Sequence, residues 1–228
     1  MRIAITGAQC TGKTTLVNSF KSYWPMYKSP EKTYRELVKE KSLSLNEEGN
    51  LRSQTIIRDV LADLAMENAG KQFTIHDRCI LDNLVYTFWL TEHNKFSEDA
   101  KEVDDFITQS ILITRECLKF YDIIFWLPIN PNIPIEESEN RSQDEVFREE
   151  IDNIFYGIHE SYKKNAGVIF DKEDQPAFIV LEGDLDKKIA YIKEYIGNDG
   201  ELIETTSSVL GDLENVYDEL ALRGQLKM

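Results

Sequence analysis

One short segment near the amino terminus has the residue types and spacing needed to bind a polyphosphate. Gly7 and Gly12 enclose four residues and are followed directly by Lys13 and Thr14. In this G-x-x-x-x-G-K-[ST] pattern the glycines let backbone N–H groups curl around an anion, and the helix that follows points its positive dipole end at that anion. Lys13 would reach the β and γ phosphates, and the Thr14 hydroxyl would ligate Mg²⁺. The pattern predicts that a nucleoside triphosphate binds, but not what happens to it.

The expected triphosphate contacts extend through the whole segment. They are Gly7, Ala8, Gln9, Cys10, Thr11, Gly12, Lys13, Thr14 and Thr15. Cys10 lies where a helix terminus and Lys13 could lower the pKa of its thiol. We favour the simpler interpretation, in which Cys10 contributes only its backbone N–H.

A second candidate for chemistry is Asp77-Arg78, which directly follows a strand-like segment at 72–76. Asp77 could orient Mg²⁺ or its waters, while Arg78 reaches the acceptor or the phosphates. The alternative is an aspartate that caps the next helix, beside an exposed arginine. Because a phosphate loop is present, we favour the functional interpretation.

A third candidate is the pair Glu31 and Arg35, which are four residues apart and therefore share a face of a helix. They could form a surface ion pair of little consequence. Alternatively, Glu31 orients or deprotonates an acceptor hydroxyl and Arg35 binds the phosphate or ribose of the acceptor. The sequence leaves these alternatives open.

A fourth candidate is the pair Arg141 and Arg148, which are two helical turns apart. Arg141 ends a proline-rich excursion at 128–141, and Arg148 follows it. The two arginines could close over the triphosphate as part of a lid at about 130–150, in the manner of an in-cis arginine finger. The alternative is ion pairing with glutamates of the excursion. We favour the lid.

These residues require a scaffold of alternating strands and helices. The strand candidates lie at 3–6, 26–29, 72–76, 123–127 and 177–181, and helical segments separate them. This alternation predicts an α/β fold with a five-stranded parallel sheet and helices on both faces. Ligands gather at the carboxyl ends of such strands, where the phosphate loop, Glu31 and Asp77-Arg78 would meet.

Composition narrows the class of protein. The 228 residues suffice for one α/β domain, and no segment approaches the length of a membrane span. The three cysteines have no paired spacing, so we expect a reduced cytoplasmic protein without a zinc site or a disulfide framework, and with no leader peptide. The net charge of −15 disfavours binding to nucleic acid, although a local basic cleft remains compatible with it.

Taken together, these segments resemble the AAA-like kinases of bacteria and phages. The segments are 7–14, Pro30-Glu31-x-x-x-Arg35, Asp77-Arg78-Cys79 with Leu81-Asp82-Asn83-Leu84, and 141–150. That group is related to the nicotinamide riboside kinase domain of the bacterial NAD regulator and, more remotely, to thymidylate and deoxynucleoside kinases. The resemblance covers about residues 1–197. It implies a P-loop NTPase fold of the nucleoside and nucleotide kinase type, with sheet order 2-3-1-4-5.

The resemblance also implies roles for individual residues. Lys13 would be the phosphate lysine, Thr14 and Asp77 the magnesium residues, and Arg78 a substrate residue. Arg141 and Arg148 would be lid arginines, Glu31 the acid beside the acceptor, and Gly183-Asp184 a contact of the adenine. Cys79 departs from the serine, threonine or tyrosine usual in the thymidylate and deoxynucleoside kinases, which leaves the acceptor undecided.

The chain divides, on this basis, into a kinase domain at 1–197 and a helical extension at 198–228. Val209, Leu213, Val216 and Leu220 give the extension a helical apolar stripe, which we expect to close the domain rather than to bind a partner. The chain lacks a hydrophobic strand ending in Asp-Glu, which argues against a ring-forming ATP motor.

The resemblance implies an ATP-dependent kinase that moves the γ-phosphoryl group to a small nucleoside or nucleotide, with ATP and Mg²⁺ as cofactors. One alternative is a kinase that acts on a modified nucleotide within DNA. Another is an ATP-responsive binding protein without acceptor turnover. Whether the chain forms a homodimer is left open.

Overall fold

The computed structural model describes residues 1–31, 36, 39–131, 144–170 and 173–203. The strands are β1 (Arg2–Thr6), β2 (Thr74–Asp77), β3 (Ile123–Trp126) and β4 (Ala177–Val180). The helices are α1 (Lys13–Tyr23), α2 (Leu51–Asn68), α3 (Ile80–Glu92), α4 (Ala100–Leu118), α5 (Glu145–Lys163) and α6 (Leu185–Tyr195), and a 3-10 turn spans Asn46–Glu48. Two of the predicted site residues, Arg35 and Arg141, lie outside the described residues. So do most of the predicted helix at 31–41, most of the lid and the tail from 204.

The four strands form one parallel sheet in the order β2-β1-β3-β4. β1 lies inside the sheet, where Ile3 pairs with Ile75 of β2 on one side and with Ile123 of β3 on the other. All four residues of β3 are buried, which explains its continuous apolar sequence, because helices cover both faces of such a sheet. The predicted α/β class is confirmed.

The prediction of five strands is wrong, since the described residues contain four. The segment at 26–29 makes only one parallel bridge, between Lys28 and Thr74. Lys28 donates to the carbonyl of Phe73 at 2.8 Å and accepts from the N–H of Ile75 at 3.0 Å. Pro25 and Pro30 enclose this segment and have no N–H to extend the pairing. The bridge nevertheless lies on the outer side of β2, the position predicted for the second strand.

Two apolar clusters pack on opposite faces of the sheet. One joins Ala4 and Ile124 to α2, α3, α4 and α5. The other joins Ile3 and Phe125 to α1 and α6. Alternating residues of β1 and β3 thus face different helices, as strand geometry requires. The sheet holds the carboxyl ends of β1, β2 and β3 in fixed relation to α1, α3 and α5.

The chain beyond residue 197 continues in contact with the same body. The indole N–H of Trp24 donates to the carbonyl of Gly197 at 2.7 Å, and the Tyr27 hydroxyl donates to that of Gly200 at 2.7 Å. Residues 198–203 therefore pack against the end of α1. Among the described helices, none is long and apolar enough to cross a membrane.

Candidate active site

The loop between β1 and α1 has the backbone conformation that its glycines predict. Gly7 has φ 138°, and a Cβ atom there would lie 2.4 Å from the carbonyl oxygen of Leu127, closer than a side chain allows. Gly12 has φ 87° and directly precedes α1. Cys10, within the loop, also has a positive φ, of 59°. The loop therefore turns tightly against the end of β3 and delivers Lys13 and Thr14 as the first residues of α1.

Lys13 has a buried amino group that the loop itself holds. Its Nζ donates to the carbonyl oxygens of Gly7 at 2.7 Å and Ala8 at 2.5 Å. Burial, and after it the charge of Arg78, lowers the pKa of Lys13 to about 7, although Asp82 and Asp77 act in the opposite direction. An anion in the loop would favour the charged form of Lys13, so the site is electrostatically suited to phosphate.

Thr14 and Asp77 meet beside Lys13. The Thr14 hydroxyl donates to Oδ2 of Asp77 at 2.5 Å, and Asp77 reaches this position because β2 pairs with β1 in parallel, with Asp77 opposite Ile5. The following helix is capped by Cys79 together with Asp82 and not by Asp77. Mg²⁺ binds few protein oxygens and retains waters and phosphate oxygens, and this hydroxyl and carboxylate fit such a site. Within the described ranges, no cluster of three or more metal-binding side chains occurs.

Asp82, which the sequence analysis did not single out as a site residue, connects three parts of the site. It is only 2% exposed. Its Oδ1 accepts from the Arg78 guanidinium at 2.9 Å, and its Oδ2 accepts from the Thr6 hydroxyl at 2.8 Å and from the Cys79 N–H at 3.0 Å. The last bond belongs to a capping box at the start of α3. Arg78 and Asp82 are four residues apart, and this spacing was the feature of the sequence that could have predicted their ion pair.

Arg78 is therefore held rather than exposed. Its φ is 86°, and its N–H donates to the carbonyl of Ile5 at 3.0 Å. A positive φ is unfavourable for a residue with a side chain and persists only where neighbouring contacts impose it. Here the Ile5 and Asp82 bonds impose it and hold the guanidinium close enough to Lys13 for its charge to lower the pKa of that lysine.

Tyr86 is a second residue that the sequence analysis missed. Its hydroxyl is buried and interacts with the Arg78 guanidinium. The Arg78 guanidinium carbon lies 6.0 Å from the Tyr86 ring centre, and Phe147 of α5 packs edge-on against the same ring. Burial raises the pKa of Tyr86. In the sequence, only its position one helical turn after Asp82 could have indicated that Tyr86 belongs to the site.

Arg148 lies against the loop. It is 5% exposed, and its Nε donates to the carbonyl of Gln9 at 3.2 Å. α5 begins after Asp144, whose carboxylate caps it by accepting from the N–H of Phe147. The predicted proximity of Arg148 to the phosphate loop is thus present, while Arg141 falls outside the described residues.

Other predicted site residues are placed less centrally. Glu31 is exposed after Pro30 and makes no hydrogen bond or ion pair with any described residue.

The Gly183 carbonyl accepts from the Asn130 amide at 3.0 Å, and the Asp184 carboxylate caps α6 by accepting from the N–H of Lys187 at 2.9 Å. In the loop, Thr15 is exposed, whereas the Thr11 hydroxyl donates to the carbonyl of Ala8.

The sequence matches a known family over most of its length. A family model described as an AAA domain matches residues 2–171, which is more than half of the 228-residue chain. No curated protein sequence matches the chain.

Solved structures, two of them of kinases, share the fold. Deoxyadenosine kinase from M. mycoides has a TM-score of 0.61 and 18% sequence identity, with 85% of this chain and 97% of that one covered. Thymidylate kinase from Candida albicans has a TM-score of 0.61 and 16% identity, with 89% and 94% covered. The NadR protein, solved in complex with NR, has a TM-score of 0.57 and 16% identity, with 85% and 50% covered. This chain thus spans half of NadR. The predicted resemblance to these kinases is confirmed at the level of the fold.

Proposed function

Because the chain belongs to this AAA domain family, we propose that it is a phosphotransferase that moves the γ-phosphoryl group of ATP to a small nucleoside or nucleotide. The observation that carries the proposal is the grouping of Lys13, the Thr14–Asp77 pair and Arg78 at the carboxyl ends of β1 and β2. Phosphoryl transfer needs charge placed around the moving group and an acceptor held in line with it. This grouping supplies cations and metal-binding oxygens at one point.

On the nucleotide side, the N–H groups of the loop and the Lys13 ammonium would hold the β and γ phosphates. Thr14 and Asp77 would hold Mg²⁺, which neutralises developing charge on the phosphate oxygens when it is bound. Arg148 would add positive charge from α5, and Arg141 would do so from the lid at about 130–150. Gly183-Asp184 would lie near the adenine, with the Asp184 side chain remaining the cap of α6.

On the acceptor side, Arg78 would bind the acceptor, and Asp82 would orient the Arg78 guanidinium through their hydrogen bond. Tyr86 offers a buried hydroxyl beside Arg78. Because a guanidinium can only donate, the Tyr86 O–H would remain able to donate to an acceptor oxygen. Glu31 would orient or deprotonate the acceptor hydroxyl, with Arg35 near it. The net charge of −15 favours a small acceptor over DNA, because DNA binding relies on lysine and arginine contacts to phosphates.

A screen for acceptor-dependent turnover tests the proposal. The full chain is incubated with Mg-ATP and each of a panel of nucleosides and nucleoside monophosphates, and ADP and phosphorylated products are measured. We expect one acceptor class to stimulate ADP formation with stoichiometric phosphorylated product. A matched Lys13→Met variant controls for contaminating kinases. ADP formation that no acceptor stimulates would contradict the proposal and favour an ATP-responsive binding protein.

A further inference from the structure

The helix that carries Arg148 has a second attachment to the site, through Asp152. Asp152 lies one helical turn after Arg148, so both side chains share one face of α5. Arg148 bonds the phosphate loop at Gln9, while Oδ2 of Asp152 accepts from the N–H of Ile129 at 3.1 Å. One face of α5 is thus hydrogen-bonded both to the phosphate loop and to the chain just after β3.

The Ile129 bond fixes a segment that lies directly behind the phosphate loop. The Leu127 N–H donates to the carbonyl of Thr6 at 3.0 Å, and the Leu127 carbonyl presses against Gly7. Pro128 has no backbone N–H, so the next N–H after that of Leu127 belongs to Ile129. Asp152 accepts that donor, and α5 is thereby positioned relative to the back of the loop.

The Asp152 carboxylate is buried between α5 and the chain that follows β3. Its Oδ1 is buried, and the indole N–H of Trp126 lies beside the carboxylate and favours its charged form. Burial raises the pKa of Asp152, while the Ile129 bond, Trp126 and the charges of Lys13 and Arg148 oppose that rise. A backbone N–H alone would be satisfied by a neutral acceptor, and a charged one makes the stronger bond.

We propose that Asp152 is a positioning residue, which fixes α5 through Ile129 so that Arg148 faces the terminal phosphate of the bound nucleotide. This inference rests on the proposed function only in requiring that a triphosphate occupies the loop. In this role Asp152 acts on the nucleotide through Ile129 and Arg148.

The test compares binding of Mg-ADP with binding of the non-hydrolysable Mg-AMP-PNP by calorimetry. Asp152→Ala removes the bond to Ile129, whereas Asp152→Asn keeps a weaker neutral acceptor. We expect AMP-PNP to bind about 10-fold more weakly to Asp152→Ala and about 3-fold more weakly to Asp152→Asn, with ADP nearly unaffected. A purely structural defect would weaken both nucleotides equally. Glu149→Gln, an exposed acid on the same helix, is the matched control and should bind both nucleotides as the unaltered chain does.

A double-variant cycle shows whether Asp152 acts through Arg148. We expect Arg148→Gln to weaken AMP-PNP binding, and Asp152→Ala to add little further loss in the double variant, because coupled residues are not additive. Fully additive losses would overturn the inference. So would tighter AMP-PNP binding to both Asp152 variants, because an acid that acted only by its charge would repel phosphates. If the coupling is observed and no acceptor is phosphorylated, the positioning role stands and the proposed function fails.

Discussion

The two halves of the site are built in different ways. The nucleotide half is a single segment, 7–15, joined by Asp77 from the neighbouring strand, and its polar groups contact one another directly. The acceptor half draws on Arg78, Asp82 and Tyr86, which depend on the packing of α3, while Glu31 remains exposed. Phosphate recognition is therefore encoded locally, and acceptor recognition is assembled by tertiary structure. Substitutions in the two halves should separate binding of ATP from binding of the acceptor.

The largest expected effect is that of Lys13→Met in the nucleotide half. Loss of the ammonium should lower turnover by about 100-fold or more, because it stabilises charge on the transferred group. Steady-state ADP formation measures this loss. Lys21→Met, on the same helix and bonded to Ser29 instead, should retain activity. Normal turnover by the Lys13 variant would contradict the claim that the nucleotide half of the site takes part in phosphoryl transfer.

Asp77→Asn should lower turnover by about 30-fold and raise the Mg²⁺ concentration required for half-maximal rate. The amide can still accept the Thr14 hydrogen bond, so the fold should persist while the charge that attracts the metal ion is lost. Rates measured across a Mg²⁺ titration provide the readout. An unchanged Mg²⁺ dependence would exclude Asp77 from the metal site.

In the acceptor half, Asp82→Asn should lower kcat/KM for the acceptor by about 10-fold and change KM for ATP by less than about 2-fold. The Asn side chain has only one acceptor oxygen and cannot serve Arg78, Thr6 and the Cys79 N–H together. Asp59→Asn, which alters an exposed partner of Arg58, is the control. Equal losses for ATP and acceptor would mean that Asp82 supports both halves.

Tyr86→Phe should produce a smaller and more selective change. Deleting the hydroxyl should raise KM for the acceptor by about 5-fold and leave ATP binding unchanged, since one neutral hydrogen bond is lost. Tyr121→Phe removes a buried hydroxyl whose partner is His76 and should leave both KM values unchanged. An acceptor KM unaffected by Tyr86→Phe would place the acceptor elsewhere.

The smallest expected effect is proton uptake on nucleotide binding. The pKa of Lys13 is lowered to about 7 in the free protein, and bound phosphates should raise it again because they favour the charged form. Above pH 7 most molecules of the free protein have an uncharged Lys13, whereas below pH 7 most already carry the proton. Binding of Mg-ADP should therefore take up most of a proton per site at pH 8 and little at pH 6. Calorimetry in buffers of different ionisation enthalpy measures the uptake. Uptake that persists in Lys13→Met would assign it to another group.

The nucleotide half could be predicted because its spacing determines its geometry. A strand, two glycines and a lysine at the start of a helix leave little choice of backbone, and the structure has that backbone. The relation of Asp77 to Thr14 followed less directly, through the parallel pairing of β1 with β2. The first inference depends on short-range rules, whereas the second requires the general rule that ligands gather at the carboxyl ends of parallel strands.

The acceptor half could not be predicted in the same way. Asp82 appeared in the sequence as part of a family resemblance, and only the folded chain brings its carboxylate to Thr6 and Arg78. Tyr86 looks in the sequence like another apolar position of α3. The segment at 26–29 has strand-like composition, but its flanking prolines limit its pairing to a single bridge.

The most direct test of the central claim follows the phosphoryl group itself. ATP labelled with ¹⁸O in the γ-phosphoryl group is incubated with the full chain, Mg²⁺ and the acceptor panel, and the products are analysed by mass spectrometry. We predict that the label appears on a nucleoside or nucleotide and that Lys13→Met abolishes its transfer. Label found only in inorganic phosphate, or retained in ATP with every acceptor, would contradict the claim that this site transfers the γ-phosphoryl group to a small acceptor.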